Sequence, residues 1–327
     1  MRKASLVGAS LRLAPTILVL FLFSCGGHPT VTLALLGDIN LGRGVTPSAD
    51  SLAYLTSEQS AADLALANLE SPLTTIPSQT SGYTLCASPD RVRFLAEAGL
   101  DLLSIANNHN LDCGPDGLAE TESALHAAGL TPLGSADEPV YRTINGLRLA
   151  FLAFEDISAP LDGEEAAQAI REAHDTGALV IVSIHWGVEY QGGASERQRQ
   201  LAQQFVDAGA ILIWGHHPHV LQPAEWIGPE PCEGSDPAAT PQDRPSQGCT
   251  LVIYSLGNAL FDQGGLADTR QSALVLVELD EDGIRSAHAI PFEIDIQHSR
   301  VMEADEQVTQ AILERLGLSK KVLWDLP

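Results

Sequence analysis

Three of the chain's ten histidines lie within four consecutive residues, at His216, His217 and His219. The apolar run 210–213 precedes them and predicts a buried strand that ends in a turn at Gly215. In an extended His-x-His segment the two side chains leave the backbone on the same side, so the rings of His217 and His219 can face one cation. His216 is expected to turn the chain or to face solvent. Taken alone, the segment is better explained as a surface loop with exposed imidazoles, so a metal site requires further ligands from the rest of the chain.

Polar side chains also follow four other apolar segments. They are Asp38 after 31–36, Glu70 after 61–69, Asn108 and His109 after 102–106, and His185 after 179–184. Each has an ordinary structural explanation by itself, such as a turn. Because the C-terminal ends of parallel strands meet at one edge of a sheet, five such ends predict a shared site at that edge. Carboxylate, amide and imidazole groups suit one or two divalent metals and metal-assisted hydrolysis.

Helical segments alternate with these strands, which predicts an α/β fold. The predicted helices cover 89–98, 115–128, 164–174, 196–208 and 303–316. Two hairpins interrupt the alternation, and they are signalled by Asn145-Gly146 and by Asp282-Gly283. Antiparallel pairing is therefore expected within or beside the main sheet.

The N-terminus has the composition of a secretory signal. Three basic residues precede the short apolar run 17–23, and small residues follow it. The segment resembles a bacterial lipoprotein signal, which implies cleavage after residue 24 and acylation of Cys25, although an uncleaved N-terminal anchor is the alternative. Both interpretations place the folded domain outside the cytoplasm and attach it to a membrane.

The remaining chain divides into a short tether and one domain. Residues 25–30 form the tether, 31–295 the main domain, and 296–327 a C-terminal helix packed on that domain. The proline-rich segment 228–249 has no periodicity and is interpreted as a surface loop.

The chain is strongly acidic, with 18 basic and 42 acidic residues. Removal of segment 1–24 takes away three basic residues and leaves a net charge of −27. Such a surface argues against nucleic-acid binding, which needs basic patches. An anionic substrate would require a local positive charge, and a metal ion would supply it.

Four cysteines remain if Cys25 carries lipid. An even number in an oxidising compartment favours two disulfides, for which three pairings are possible. We expect Cys86 to pair with Cys113 and Cys232 with Cys249.

The polar strand ends lie in longer motifs that resemble a known family. These motifs are 37–43 (Gly-Asp-Ile-Asn-Leu-Gly-Arg), 67–70 (Ala-Asn-Leu-Glu), 106–109 (Ala-Asn-Asn-His) with Asp112 and Gly114, 185–189 (His-Trp-Gly-Val-Glu), 215–220 (Gly-His-His-Pro-His-Val) and 255–258 (Ser-Leu-Gly-Asn). Together they resemble the capsule-synthesis CapA family within the calcineurin-like metallophosphoesterase superfamily. The resemblance spans about residues 33–262. It implies an α/β fold, specifically a four-layer α/β/β/α sandwich with mixed sheets, and a role in making, anchoring or releasing poly-γ-glutamate.

The resemblance also implies roles for individual residues. It places Asp38, Glu70 and His219 on one metal ion, and Glu70, Asn108, His185 and His217 on a second. His109 would be a general acid for the leaving group, with Asp112 and Arg43 as further catalytic candidates. Arg43 lies close to the first strand end and is a candidate partner for an anionic substrate, although a solvated surface arginine explains it equally well. The ions expected are Mn, Zn, Fe or Mg.

Two residues depart from the superfamily's pattern. Asn40, also a candidate ligand, stands where the superfamily has a histidine, and Glu70 stands where it has an aspartate. The first metal position therefore lacks one strong ligand.

Two functions of different classes remain open from the sequence. One is a metal-dependent hydrolase of a phosphoester or a γ-glutamyl amide, acting on capsule polymer or as a phosphodiesterase unrelated to capsule. The other is a non-catalytic lipoprotein that holds an anionic polymer or organises a membrane synthesis complex. A serine nucleophile and a dinucleotide site are disfavoured, since neither Gly-x-Ser-x-Gly nor Gly-x-Gly-x-x-Gly occurs where it would be needed.

Overall fold

The computed structural model describes residues 28–79, 83–134, 138–228, 232 and 248–320. The predicted signal peptide and Cys25 lie outside the described residues, as does most of the proline-rich loop. Within the described ranges, no helix is both long enough and apolar enough to cross a bilayer.

The described residues form six α-helices and fifteen strands. The helices are α1 (Ala53–Ala61), α2 (Val92–Glu97), α3 (Gly114–Ala127), α4 (Gly163–Asp175), α5 (Glu196–Asp207) and α6 (Glu306–Leu316). The strands are β1 (Val31–Ile39), β2 (Leu64–Leu69), β3 (Leu102–Ser104), β4 (Thr131–Leu133), β5 (Val140–Ile144), β6 (Leu147–Glu155), β7 (Leu179–His185), β8 (Ala210–His216), β9 (Ala224–Ile227), β10 (Thr250–Ile253), β11 (Asn258–Leu260), β12 (Gln271–Asp280), β13 (Gly283–Asp295), β14 (Arg300–Glu303) and β15 (Ser319–Lys320).

The strands form two mixed sheets. The first has the order β14-β13-β12-β1-β2-β3-β4, with β11 paired to β1 and β15 paired to β13. Its β1 to β4 part is parallel and its β12 to β14 part is antiparallel. The second sheet has the order β5-β6-β7-β8-β10-β9, with antiparallel strands at both edges. Both predicted hairpins are present, and Asn145 and Gly146 have the positive φ values that a tight two-residue turn requires.

Three apolar cores separate four layers. Strand β1 shows how one strand serves two cores, because successive side chains point to opposite faces. Leu33 and Leu35 belong to the core that also contains Phe151 and Trp214 of the second sheet, whereas Leu36 belongs to the core beneath α1, α2 and α3. A third core lies between the second sheet and helices α4 and α5. The expected four-layer α/β/β/α sandwich is therefore confirmed.

The predicted disulfide pairing is confirmed for both bonds. Cys86 is bonded to Cys113, and Cys232 is bonded to Cys249. The first bond joins the segment after residue 83 to Cys113, the residue that precedes α3. The second closes the proline-rich loop at its base.

Trp214 links the two sheets. Its side chain is fully buried, and its indole Nε1–H donates to the carbonyl oxygen of Leu36 at 2.9 Å. This carbonyl lies at the irregularity between Leu35 and Asp38 where the register of β1 and β2 shifts.

We expect Trp214→Phe to lower the free energy of unfolding by about 1–3 kcal/mol, because it removes the donor from a buried carbonyl and leaves a small cavity. Urea denaturation measures the change. Trp226→Phe, on the half-buried edge strand β9, is the control and should cost less. An equal cost for the two variants would contradict the inter-sheet role of Trp214.

Candidate metal centre

The polar strand ends of both sheets meet between them. Asp38 lies in β1 of the first sheet, Glu70 directly follows β2 of the same sheet, and His185 ends β7 of the second. His185 Nε2 lies 3.5 Å from Glu70 Oε1, and His219 Nδ1 lies 3.5 Å from Asp38 Oδ2. The site is therefore shared by two facing sheets, and the prediction of a single sheet edge was wrong. The ends of the parallel strands β1 and β2 carry the two carboxylates, and the ends of the parallel strands β7 and β8 carry the histidines.

Glu70 carries a buried carboxylate. Neither of its oxygens has a hydrogen-bond partner among the residues that the structure describes. Burial, followed by the negative charge of Asp38, raises the pKa of Glu70 well above its usual value. A buried carboxylate without a partner is costly, and a bound cation is the usual compensation. The donor set therefore fits a divalent metal.

Asp38 has a more polar environment than Glu70. Its Oδ1 accepts a hydrogen bond from Asn68 Nδ2 at 2.8 Å, and its Oδ2 accepts one from the His217 backbone N–H at 3.2 Å. Burial opposes ionisation, but the neighbouring His216 and His219 outweigh it and hold the pKa of Asp38 well below its usual value. Asp38 is therefore an anionic ligand candidate with a fixed orientation.

His185 and His217 are held as neutral imidazoles. Burial, together with the charge of neighbouring imidazoles, lowers the pKa of His185 well below its usual value and that of His217 to about 4. His185 Nε2 lies 2.8 Å from Asn108 Oδ1. His217 Nδ1 is buried and has no hydrogen-bond partner in the described part of the chain. The neutral ring is the form that binds metal, so both histidines are suited to coordination.

His219 stands between the two carboxylates. Burial lowers its pKa, but Glu70 and Asp38 outweigh this effect and raise the pKa to about 9. Its Nδ1 lies 2.9 Å from Asn258 Oδ1. The role of Asn258 was not predicted, although the Ser-Leu-Gly-Asn motif after a strand could have indicated it.

Two groups of potential ligands occur in the described ranges. Donor atoms of Asp38, Glu70 and His219 lie within 4.8 Å of one another, and so do those of Glu189, His217 and His219. The structure thus contains candidate metal-binding groups, as expected. Glu189 was not predicted as a ligand, although it lies in the His-Trp-Gly-Val-Glu motif.

Asn40 is engaged in other contacts. Its carboxamide oxygen accepts hydrogen bonds from the Gly42 N–H at 2.8 Å and from Ser71 Oγ at 2.7 Å. Its Nδ2 donates to Asp262 Oδ1 at 3.2 Å. These contacts show that Asn40 stabilises the turn after β1. Its role as a metal ligand stays a prediction.

His109 lies beside the candidate ligands and is oriented by Asp112. Their side chains are 3.0 Å apart from Nδ1 to Oδ2, and the same carboxylate oxygen accepts from the Leu85 N–H at 2.9 Å. Asp112 is buried, while one-fifth of the His109 side chain is exposed. The arrangement leaves the Nε2 side of the ring available for proton transfer to a bound molecule.

An open cleft of about 560 Å³ gives access to the site. Asn108, His109 and His219 lie in its wall, together with Arg43. The Arg43 guanidinium is already paired with the Asp262 carboxylate and also lies 5.4 Å from the centre of a phenylalanine ring. An anionic substrate would therefore compete with Asp262 for Arg43.

His216 is placed differently from the expectation. It is fully buried, and its ring packs edge-on against Trp214 with centroids 4.4 Å apart. Its Nδ1 lies 3.4 Å from Asp38 Oδ1. The prediction that His216 faces solvent was therefore wrong, because β8 extends through this residue and directs it into the space between the sheets.

The sequence of the chain matches a known protein family. Residues 32–263 match the family model described as "Bacterial capsule synthesis protein PGA_cap". The chain belongs to the PGA_cap family. The matched range contains all of the ligand candidates described above.

Three known proteins are similar to this chain in sequence. The "PGA biosynthesis protein CapA" of Bacillus subtilis is 30% identical over 90% of this chain and 80% of that protein. The "Capsule biosynthesis protein CapA" of Bacillus anthracis is 30% identical over 81% of this chain and 67% of that protein. A "Probable polyglutamine synthesis accessory protein" of Mycobacterium tuberculosis is 22% identical over 83% and 76%.

Proposed function

We propose that this PGA_cap protein acts outside the cytoplasm in the synthesis, anchoring or release of a capsule polymer such as poly-γ-glutamate, through a metal-dependent hydrolytic site. The names of the Bacillus relatives support the capsule role. The observation that carries the hydrolytic site is the buried Glu70 carboxylate, which faces His185 and lacks a hydrogen-bond partner among the described residues.

The ligand roles follow from the placement of the side chains. Asp38, Glu70 and His219 would hold one divalent cation, with Mn, Zn, Fe and Mg as candidates. A second would be held by the ligands that lie toward the other sheet, namely Glu70, Asn108, His185 and His217. When bound, such cations supply Lewis acidity and activate water for attack on a phosphoester or a γ-glutamyl amide.

His109 would act on the leaving group. Its ring lies at the cleft, and Asp112 holds Nδ1 so that Nε2 can donate a proton to the departing oxygen or nitrogen. Arg43 would orient the anionic polymer by exchanging part of its pairing with Asp262.

Attachment to the membrane completes the proposal. Acylated Cys25 would tether the domain close to a membrane synthesis complex, where the growing anionic polymer leaves the membrane. Fatty-acid labelling of the full-length protein, compared with Cys25→Ser, tests this attachment. Loss of label in the variant supports it, and an unlabelled wild type contradicts it.

Removal of metal is expected to destabilise the mature protein. A ligand present at one hundred times its dissociation constant contributes about 2.7 kcal/mol, so a chelator should lower the melting temperature measurably and added Mn²⁺ or Zn²⁺ should restore it. Elemental analysis and thermal denaturation check both points. The metal centre would be contradicted if the purified protein contained no metal and if neither chelator nor added metal changed its melting temperature.

The substrate is tested with the same protein. The protein is incubated with phosphodiesters and with γ-glutamyl polymers in the presence of the metal found by elemental analysis. Its turnover is compared with that of His217→Ala. Turnover of γ-glutamyl polymer supports the capsule role. Turnover of phosphodiesters alone indicates a phosphodiesterase unrelated to capsule.

A non-catalytic function is the second candidate, and the contacts of Asn40 favour it. The carboxamide oxygen that could replace the superfamily's histidine as a ligand already accepts two hydrogen bonds, which weakens the first metal position. In that case the protein would bind the polymer equally well with and without chelator, and it would turn over none of the tested esters or amides.

A further inference from the structure

Glu189 is a partly exposed carboxylate beside two buried imidazoles. Its Oε1 lies 4.0 Å from His219 Nε2, and about half of its side chain is exposed. Donor atoms of Glu189, His217 and His219 lie within 4.8 Å of one another. Ligand atoms bound to one transition metal at about 2.0–2.2 Å lie roughly 3–4 Å apart, so a small movement of this flexible side chain brings all three within range.

The hydrogen bonds of Asn258 determine which nitrogen of His219 is available. The Nδ2 of Asn258 donates to the Thr269 carbonyl oxygen at 2.9 Å and to Gln263 Oε1 at 3.0 Å. Its Oδ1 is therefore an acceptor, and His219 Nδ1, 2.9 Å away, must carry the proton. The Nε2 atom, which faces Glu189, is then the ring nitrogen that can coordinate a cation. Fixing the tautomer through the non-coordinating nitrogen is typical of metal-bound histidines.

The loop that carries Glu189 is fixed to the turn that carries the two histidines. The Trp186 N–H donates to the His216 carbonyl oxygen at 3.1 Å, and the Tyr190 N–H donates to the Pro218 carbonyl oxygen at 2.8 Å. These two backbone hydrogen bonds flank Glu189 in sequence. Only the side chain of Glu189, and not its backbone, needs to move to reach a shared cation.

Gly187 and Gln198 keep this loop close to the histidine turn. Gly187 has a φ of +88°, and a Cβ added there would lie 2.8 Å from the carboxamide carbon of Gln198. Gln198 is buried, and its Nε2 donates to Gln222 Oε1 at 2.8 Å. The position of the Glu189 loop is therefore determined by its packing.

The His217 side chain supplies an independent indication of a ligand. It is more than nine-tenths buried, and its Nδ1 has no hydrogen-bond partner within the described ranges. The Asn40 carboxamide is occupied by hydrogen bonds with Gly42, Ser71 and Asp262. The first cation position is thus short of the ligand expected from residue 40, and a carboxylate is available from the loop after β7.

We propose that Glu189 is a direct ligand of the cation bound by His219 Nε2 and that it substitutes for the ligand that Asn40 does not provide. His217, assigned above to the second cation, would then contribute its imidazole to this cation instead. A carboxylate and two imidazoles form a donor set typical of Zn²⁺, Mn²⁺ and Fe²⁺. This inference rests on the proposed metal centre and adds a ligand from the cleft side.

The test is a calorimetric titration of the mature protein with Mn²⁺ and with Zn²⁺. The variants are Glu189→Gln, Glu189→Asp and the control Glu196→Gln, an exposed glutamate at the start of α5. Removal of an outer-sphere partner already costs about 10- to 100-fold in metal affinity, so Glu189→Gln should weaken one binding step by at least about that factor. Glu196→Gln should match the wild type.

Glu189→Asp separates coordination from a general effect of charge. It keeps the negative charge but shortens the side chain by one methylene, so a ligand role predicts an affinity nearer to that of Glu189→Gln than to that of the wild type. The loss in Glu189→Gln should also persist at high salt, because coordination is not screened whereas the field of an exposed charge is. Circular dichroism of the metal-free variants checks that each is folded.

The outcomes distinguish this inference from the proposed function. Wild-type protein that binds metal, with unchanged affinity in Glu189→Gln, overturns the role of Glu189 and leaves the metal centre intact. The role is also overturned if Glu189→Asp binds like the wild type and the loss in Glu189→Gln disappears at high salt. Wild-type protein that binds neither ion overturns the metal centre and, with it, this ligand.

Discussion

Replacing Glu70 by glutamine is expected to abolish tight metal binding and, in the metal-free protein, to raise the melting temperature. Glu70 is the only residue that the family resemblance assigns to both cations, so loss of its charge should weaken both binding steps by about 100-fold or more. Glutamine keeps the size of the side chain, which limits any change in packing.

The stabilisation of the metal-free variant follows from the surroundings of Glu70. Its carboxylate is buried beside Asp38, and burial together with that charge raises its pKa. Neither oxygen is hydrogen-bonded to any described residue. Glutamine carries no charge, so it removes the repulsion between residue 70 and Asp38 and the cost of burying a second charge. We therefore expect the melting temperature of the metal-free variant to rise by a few degrees.

Thermal denaturation with and without Mn²⁺ measures both effects. The melting temperature of the wild type should rise when Mn²⁺ is added. Glu70→Gln should have a higher melting temperature than the wild type without metal, and Mn²⁺ should raise it little further. Glu172→Gln, an exposed carboxylate on α4, is the matched control and should behave as the wild type. A Glu70→Gln protein that is less stable without metal, or that keeps its metal response, would show that Glu70 is structural.

Replacing His109 by glutamine is expected to lower the turnover number by about 10²–10⁴-fold, the usual contribution of a general acid. Metal content should not change, because the ring nitrogen of His109 bonds to Asp112 and belongs to neither ligand group found in the described residues. Turnover and elemental analysis of the same preparation measure the two quantities. The rate loss should be smallest for substrates whose leaving group needs no proton.

Asp112→Asn tests the positioning role of the carboxylate. It keeps an acceptor for the Leu85 N–H but removes the charge that orients the His109 ring. We expect a smaller loss of turnover than in His109→Gln, together with a shifted pH profile. If His109→Gln loses its metal instead, or retains full turnover on a substrate with a poor leaving group, the general-acid role is wrong.

Features that depend on local pattern could be predicted from the sequence. Apolar runs identified the main strands, and Asn145-Gly146 identified one hairpin. The pairing of the four cysteines was also predicted correctly. Short elements without a strong pattern, such as α1 and β4, were missed because packing against the rest of the fold stabilises them.

The residue types of the site and their places at strand ends were determined by the sequence itself. Asp38, Glu70, His185 and the His217-Pro218-His219 segment each follow from local hydrophobic patterning, which depends only on near neighbours in the chain.

The tertiary structure decided how these groups are used. It placed them between two sheets, buried His216, engaged Asn40 with Ser71 and brought Glu189 to the imidazoles. These relations join residues that are distant in sequence, and they arise from the packing of one sheet on another. Strand period and residue type cannot encode that packing, since the same local pattern is compatible with several arrangements of the sheets.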